Sequence, residues 1–107
     1  IFSGAGITIN NTLFSYNANW EAPGRWSVEV ITNKSRLILR PLEKLQIQKI
    51  GNLDPEFVQI NDVLDIDYKP GLYKQTKSFI NGNNLNLCDI DEHSKNFKYY
   101  MKMIRSK

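Results

Sequence analysis

The sequence predicts an α+β domain, with a largely antiparallel open sheet of five to six strands and two C-terminal helices packed on one of its faces. Three observations carry this expectation. From Ile1 to about Asp62 apolar residues recur with period two, the spacing by which a half-buried strand separates its faces. Turn formers interrupt that stretch roughly every ten residues, which favours an antiparallel meander. Beyond Pro70-Gly71 the apolar spacing becomes that of a helix, and a sheet followed by helices is an α+β arrangement.

Ile7 and Ile9, then Asn10-Asn11, then Phe14, Tyr16, Ala18 and Trp20 read as a hairpin, because Asn tolerates positive φ at little cost. Glu21 to Gly24 is a turn in which Pro23 fixes φ and Gly24 is permissive. Trp26, Val28 and Val30 then share a strand face, and Asn33-Lys34 forms the next turn. Leu37 and Leu39 alternate with Arg36, Ile38 and Arg40 until Pro41 removes a backbone donor and ends the strand or confines it to an edge. Leu45 and Ile47 continue the pattern, Gly51-Asn52 and Asp54-Pro55 break it, and Phe57 to Ile60 is a further short strand. Leu64, Ile66 and Tyr68 alternate with Asp65 and Asp67 in the manner of a strand. Leu72, Tyr73, Thr76, Phe79 and Ile80 fall at helical spacing, and Asn81-Gly82 closes that helix as a left-handed cap. In the last helix Phe97, Tyr100, Met101 and Ile104 share a face, and either Asp89 or Asp91 is placed to cap its start.

A chain of 107 residues is read as a single domain over 1–107, since domains cluster near roughly 100–150 residues. One cysteine and one histidine exclude an internal disulfide and a protein-only zinc site. A reducing compartment, the cytoplasm, is the matching expectation. No apolar run approaches the roughly 20 residues needed to span a bilayer, so no membrane partner is expected. The chain begins at Ile1, already strand-like and without an initiator methionine, and is read as a piece of something longer. The net charge is +3, but five of the fourteen basic residues lie in 95–107, leaving nine against eleven acidic residues over 1–94. The positive charge belongs to one helix, whose cations complement its C-terminal dipole, and no nucleic-acid partner is expected.

The chemistry-bearing residues are few. Gly4-Ala-Gly6 precedes strand-like residues rather than a helix, so it reads as a strand glycine pair and not a phosphate loop. His93, near the apolar face of the last helix, reads as a packed or capping residue rather than a general base. Cys88 precedes a helix, a place where a thiol pKa falls, though inert buried cysteine is the commoner arrangement. Asp62, Asp65, Asp67, Asp89 and Asp91 lack the glycine and closing glutamate of a calcium loop and read as caps and solvated faces. The densest feature is 17–26, where Trp20, Arg25 and Trp26 surround a Pro-Gly turn. Indole faces and a guanidinium fork suit a sugar-stacking or partner-binding edge, and two tryptophans equally suit the core of adjacent strands.

Four stretches, Asn-Trp-Glu-Ala-Pro-Gly-Arg-Trp-Ser-Val-Glu-Val (19–30), Arg-Leu-Ile-Leu-Arg-Pro-Leu-Glu-Lys-Leu (36–45), Pro-Gly-Leu-Tyr-Lys-Gln-Thr-Lys-Ser-Phe-Ile (70–80) and Leu-Cys-Asp-Ile-Asp-Glu-His (87–93), resemble in order and spacing the C-terminal domain of the glucose-fructose oxidoreductase / inositol dehydrogenase (Gfo/Idh/MocA) family. The resemblance implies an open sheet that covers a substrate pocket and supplies an oligomer interface. It implies a parent enzyme that uses NAD or NADP on a sugar, cyclitol or nucleotide-sugar, with an N-terminal dinucleotide-binding domain as the chain's partner and a homo-oligomer formed through the sheet. The family's glycine fingerprint, Glu-Lys-Pro lysine and catalytic Asp/His pair all fall upstream of Ile1. Leu42-Glu43-Lys44 follows Pro41, is not the Glu-Lys-Pro motif, and is placed in a strand. The chain is thus expected to carry no catalytic, cofactor-binding or metal residue, with Trp20, Arg25 and Trp26 as substrate or interface candidates. The other expectation is a free-standing carbohydrate- or protein-binding module without catalysis.

Overall fold

The computed structural model describes residues 1–83, 85 and 87–105. Among these residues it is α+β, with six strands in two antiparallel sheets and three helices. The elements are β1 (Phe2–Ile7), β2 (Leu13–Ala18), β3 (Val28–Ile31), β4 (Ser35–Leu39), β5 (Leu45–Lys49), β6 (Glu56–Val58), α1 (Val63–Asp67), α2 (Leu72–Ile80) and α3 (Ile90–Arg105). Contacts cluster into two units, one of Ile1–Pro23 with Ser78–Lys107 and one of Gly24–Lys77. The strand count matches the sequence expectation; the division into a two-stranded and a four-stranded sheet adds to it.

In the first unit β1 and β2 form a hairpin that pairs Gly4 with Tyr16 and Gly6 with Phe14. Both rings lie over the glycines opposite them: a Cβ on Gly6 would come within 2.6 Å of Phe14 Cζ, and one on Gly4 would collide with the Tyr16 ring. The glycine pair is therefore the floor for two aromatic rings, a known way to compensate a strand glycine. The hairpin turns through Thr8–Thr12, where Thr8 N–H donates to Thr12 O at 2.9 Å and Thr8 Oγ1 accepts Thr12 N–H at 3.0 Å. Within this turn Asn11 takes φ +59 and donates its N–H to Thr8 O at 3.0 Å. Ile9, read from alternation as a strand residue, is 98% exposed at the tip, because the turn begins at Thr8. Helix α3 lies against β1. Asp89, rather than Asp91, caps it, its Oδ1 accepting the N–H of Glu92 at 2.7 Å.

The second unit holds the meander β3-β4-β5-β6. Its register places Val28, Val30, Leu37, Leu39, Leu45 and Ile47 on one face and Glu29, Arg36, Ile38, Gln46 and Gln48 on the other. Strand β3 starts two residues after Trp26, and β6 ends at Val58 rather than Ile60. Residues 63–67 are helical, not extended, as their alternation had implied: Asp62 O accepts the N–H groups of Asp65 and Ile66, both at 2.9 Å. Five residues are too few for period two and period 3.6 to be told apart. Asp65 Oδ1 then accepts Gly71 N–H at 2.9 Å, and Gly71 has φ +76.

Helix α2 ends where Asn81-Gly82 predicts. Gly82 has φ +64, its N–H donates to Phe79 O at 3.2 Å, and Asn83 N–H donates to Ser78 O at 2.9 Å. That bond pair is a Schellman cap.

Among the described residues no side chain is fully buried. The chain exposes 10038 Å², whereas a folded monomer of its mass exposes roughly 6,100 Å² and two separate folded units of half that mass roughly 7,400 Å². Apolar surface, including Val28 at 48% and Val30 at 46% exposure, is thus left open.

Gly6→Val is expected to destabilise the hairpin by about 1–3 kcal/mol, the usual cost of overpacking, read as a lower urea midpoint. Gly24→Ala, where an added Cβ meets nothing within 4 Å, should leave the unfolding free energy within about 0.5 kcal/mol of the parent.

Candidate functional site

The four-stranded sheet displays its polar face through cross-strand neighbours. Glu29 on β3 pairs with Ile38 on β4, so its side chain stands between those of Arg36 and Arg40. Glu29 Oε2 accepts from Arg36 Nε at 3.0 Å and also from Nη2, while Arg40 Nη2 lies 3.9 Å from Oε1. Gln46 Nε2 donates to Arg40 O at 3.3 Å, and Gln48 Nε2 donates to Asn52 O and Leu53 O at 3.1 and 2.8 Å. The face therefore offers guanidinium donors, amide groups and one carboxylate, with one cation in excess. Its ion pair is half exposed, so its worth to stability is about 0.2–1 kcal/mol; what it supplies is a fixed orientation for Arg36. Sequence reading missed this cluster. The available signal was the alternation itself, which puts 29, 36, 38 and 40 on one face once β3 and β4 pair.

Trp20 lies in the turn after β2 and is 75% exposed; Trp26 lies in the irregular run before β3 and is 71% exposed, with Arg25 beside it and also exposed. The indoles are surface residues, which removes the core reading for both. The division between the two units falls at Pro23 and Gly24, so Trp20 belongs to one unit and Arg25 and Trp26 to the other. Asn19 Oδ1 accepts Glu21 N–H at 3.1 Å and shapes the corner next to Trp20.

His93 is exposed in the first turn of α3, and its ring packs against that of Tyr100 at 5.9 Å, so it is a surface residue with an aromatic neighbour. Lys44 sits in the turn before β5, not in a strand, with its N–H donating to Pro41 O at 2.9 Å. No cluster of metal-ligating side chains occurs among the described residues, and no helix among them is long and apolar enough to cross a membrane. Cys88 is exposed rather than buried. Desolvation, then the carboxylates of Glu92 and Asp89, raise its thiol above the ordinary value. The helix start that follows does not lower it: desolvation is the largest cause of the rise, and the carboxylates at the start of α3 add to it.

Compared with protein-family models, with curated proteins and with solved structures, the chain matches none.

A raised thiol pKa means less thiolate at a given pH. Iodoacetamide should therefore label Cys88 more slowly at pH 8 than it labels an unstructured cysteine peptide, with the rate inflection at higher pH. Glu92→Gln should move that inflection back down. An inflection at or below the peptide's contradicts the assignment.

Proposed function

We propose that the chain is a non-catalytic covering and assembly domain. The apolar face of its four-stranded sheet closes against another protein surface, and the opposite face forms one wall of a ligand pocket. The observation that carries this reading is the partly open apolar face on which Val28 and Val30 are exposed and Leu37, Leu39, Leu45 and Ile47 half-buried, in a chain without a fully buried described side chain. Over the whole chain, polar and apolar surface together exceed those of two folded units by about 2,600 Å². Surface of this kind favours association.

In this reading the parent is a cytoplasmic NAD- or NADP-dependent oxidoreductase of the Gfo/Idh/MocA type that acts on a sugar, cyclitol or nucleotide-sugar. Its dinucleotide-binding domain is one partner and a second copy of the sheet the other. The support is the order and spacing of the motifs at 19–30, 36–45, 70–80 and 87–93. Glu29, Arg40 and Gln46 add the charged and amide groups with which a polyhydroxylated ligand is hydrogen-bonded. Cofactor binding and hydride transfer belong to the partner domain. A second reading, a free-standing carbohydrate- or protein-binding module, is favoured by the exposure of Trp20 and Trp26.

Sedimentation at micromolar concentration is expected to give a dimer or larger species, and Leu37→Glu to shift it to monomer; a monomeric parent chain overturns the assembly role. The chain alone should bind neither NAD nor NADP in calorimetry, and binding above background contradicts the non-catalytic assignment. Saturable binding of a neutral oligosaccharide that quenches tryptophan fluorescence in the Leu37→Glu variant would favour the module instead.

A further inference from the structure

The outer strands of the four-stranded sheet are guarded against pairing with another chain. On one edge β3 carries Glu29; on the other, β6 is short, carries Glu56 and follows Pro55. Charge, proline and shortness are the ordinary devices that blunt a strand edge. Strand β2 of the hairpin has none of them. No charged side chain occurs from Ile1 to Trp20, and β2 keeps six unbroken pairs with β1. Among the described residues β1, which has α3 against it, is the one element that β2 touches.

The ladder determines which backbone groups this edge presents. Thr8 N–H donates to Thr12 O at 2.9 Å, so positions 8 and 12 are a hydrogen-bonded pair. Alternation along an antiparallel ladder then makes Gly6 with Phe14 and Gly4 with Tyr16 the next such pairs. The N–H and C=O groups of Leu13, Ser15 and Asn17 point away from β1, and among the described residues none of them is bonded. All three residues are exposed. We infer that β2 pairs antiparallel with β2 of a second copy of this chain, about a two-fold axis at Ser15, giving one sheet in the order β1-β2-β2-β1.

The register follows from the sequence of β2. With Ser15 opposite the partner's Ser15 and Leu13 opposite the partner's Asn17, every outward group is used, for about six bonds at two per opposed pair. A shift of two positions either way opposes only two of the pairs. The same register sets Phe14 beside the partner's Tyr16. Both rings already lean over Gly6 and Gly4 of their own chain, so they are drawn back from the outer edge and do not obstruct it. A row across the new sheet then reads Gly4, Tyr16, the partner's Phe14, the partner's Gly6, and aromatic cross-strand neighbours of this kind are stabilising. On the opposite face two serine hydroxyls meet at the axis, and no like charges are brought together. An unrelated extended peptide would find the same backbone groups without the matched rows, which is why the occupant is a second copy. A two-fold contact of one edge with itself is isologous and closes at two chains. The pairing also gives the hairpin the additional strands that an isolated two-stranded ribbon needs for stability. It lies outside the four-stranded sheet and does not rest on the covering role proposed above.

Residues 13–17 form a far shorter contact than the roughly 20–30 residues a side of a standard interface, so the association is weak and belongs to high concentration. The test uses the full chain carrying Leu37→Glu, which takes the apolar sheet face out of the measurement, followed by NMR from about 20 μM to about 1 mM. Protection of the Leu13, Ser15 and Asn17 amides from exchange is expected to rise with concentration. In a mixture of isotope-labelled and unlabelled chains, an Overhauser contact between Hα of Phe14 and Hα of the partner's Tyr16 is expected. Ser15→Lys, which sets two ammonium groups against each other at the axis, should weaken association about tenfold or more. Ser3→Lys adds the same charge to the same face of β1, away from the seam, and should leave it within about twofold; Ser15→Thr should retain it within about threefold. Absence of the contact between copies at the highest concentration, a contact in another register, or Ser15→Lys no weaker than Ser3→Lys overturns the pairing. Protection of these amides that does not vary with concentration assigns the edge to another segment of the same chain and also overturns it. Because the sheet face is already disabled, none of these failures bears on the covering role.

Discussion

The register of four short strands governs the second unit. Once Val28 faces Leu39 and Leu37 faces Ile47, every other residue is assigned to a face, and a slip of one position would exchange the two faces completely. Six aliphatic side chains are collected on one side by that pairing, and Glu29 is delivered to the arginines of β4 on the other. Hydrophobic grouping and electrostatic grouping are thus consequences of the same ladder.

What the ladder does not provide is a cover. The contacts between elements are those of neighbouring strands and of α3 with β1, so the meander's stabilisation within its unit comes from edges and cross-strand pairs. Even its central strands β4 and β5 shelter Leu37, Ile38, Leu39, Leu45 and Ile47 only partially. A domain that buries so little is marginal against the conformational entropy of ordering it, about 1–2 kcal/mol per residue for the backbone alone. The apolar face therefore has the character of half a core, and a complementary surface would complete its burial.

Legibility from sequence followed the length of each signal. Alternation across β3, β4 and β5 was readable because three successive segments carried it with turn formers between them. The end of α2 was readable because Asn81-Gly82 has one strong conformational meaning. Helix α1 was misread, since apolar Leu64 and Ile66 with acidic Asp65 and Asp67 satisfy a strand and a single helical turn alike, and backbone bonds from Asp62 O decided the matter. Ile9 was misread because an alternating apolar residue can fall in a turn when Thr8 closes it. Among site residues, the exposure of Trp20 and Trp26 was not legible, because an indole's burial depends on what lies above it and not on its neighbours in sequence. The Glu29, Arg36 and Arg40 cluster needed the strand register, which is a long-range property.

The two glycines of β1 have a further consequence. Tyr16 and Phe14 sit two positions apart on β2, and Gly4 and Gly6 sit two positions apart on β1, so both rings find a bare backbone in only one alignment. Sliding the hairpin by two residues one way would set Tyr16 against Phe2, and the other way would set Phe14 against Thr8. One ring would then lose its seat. The glycines, whose small size ordinarily makes a strand permissive, act here as a two-notch key that fixes where this hairpin stops.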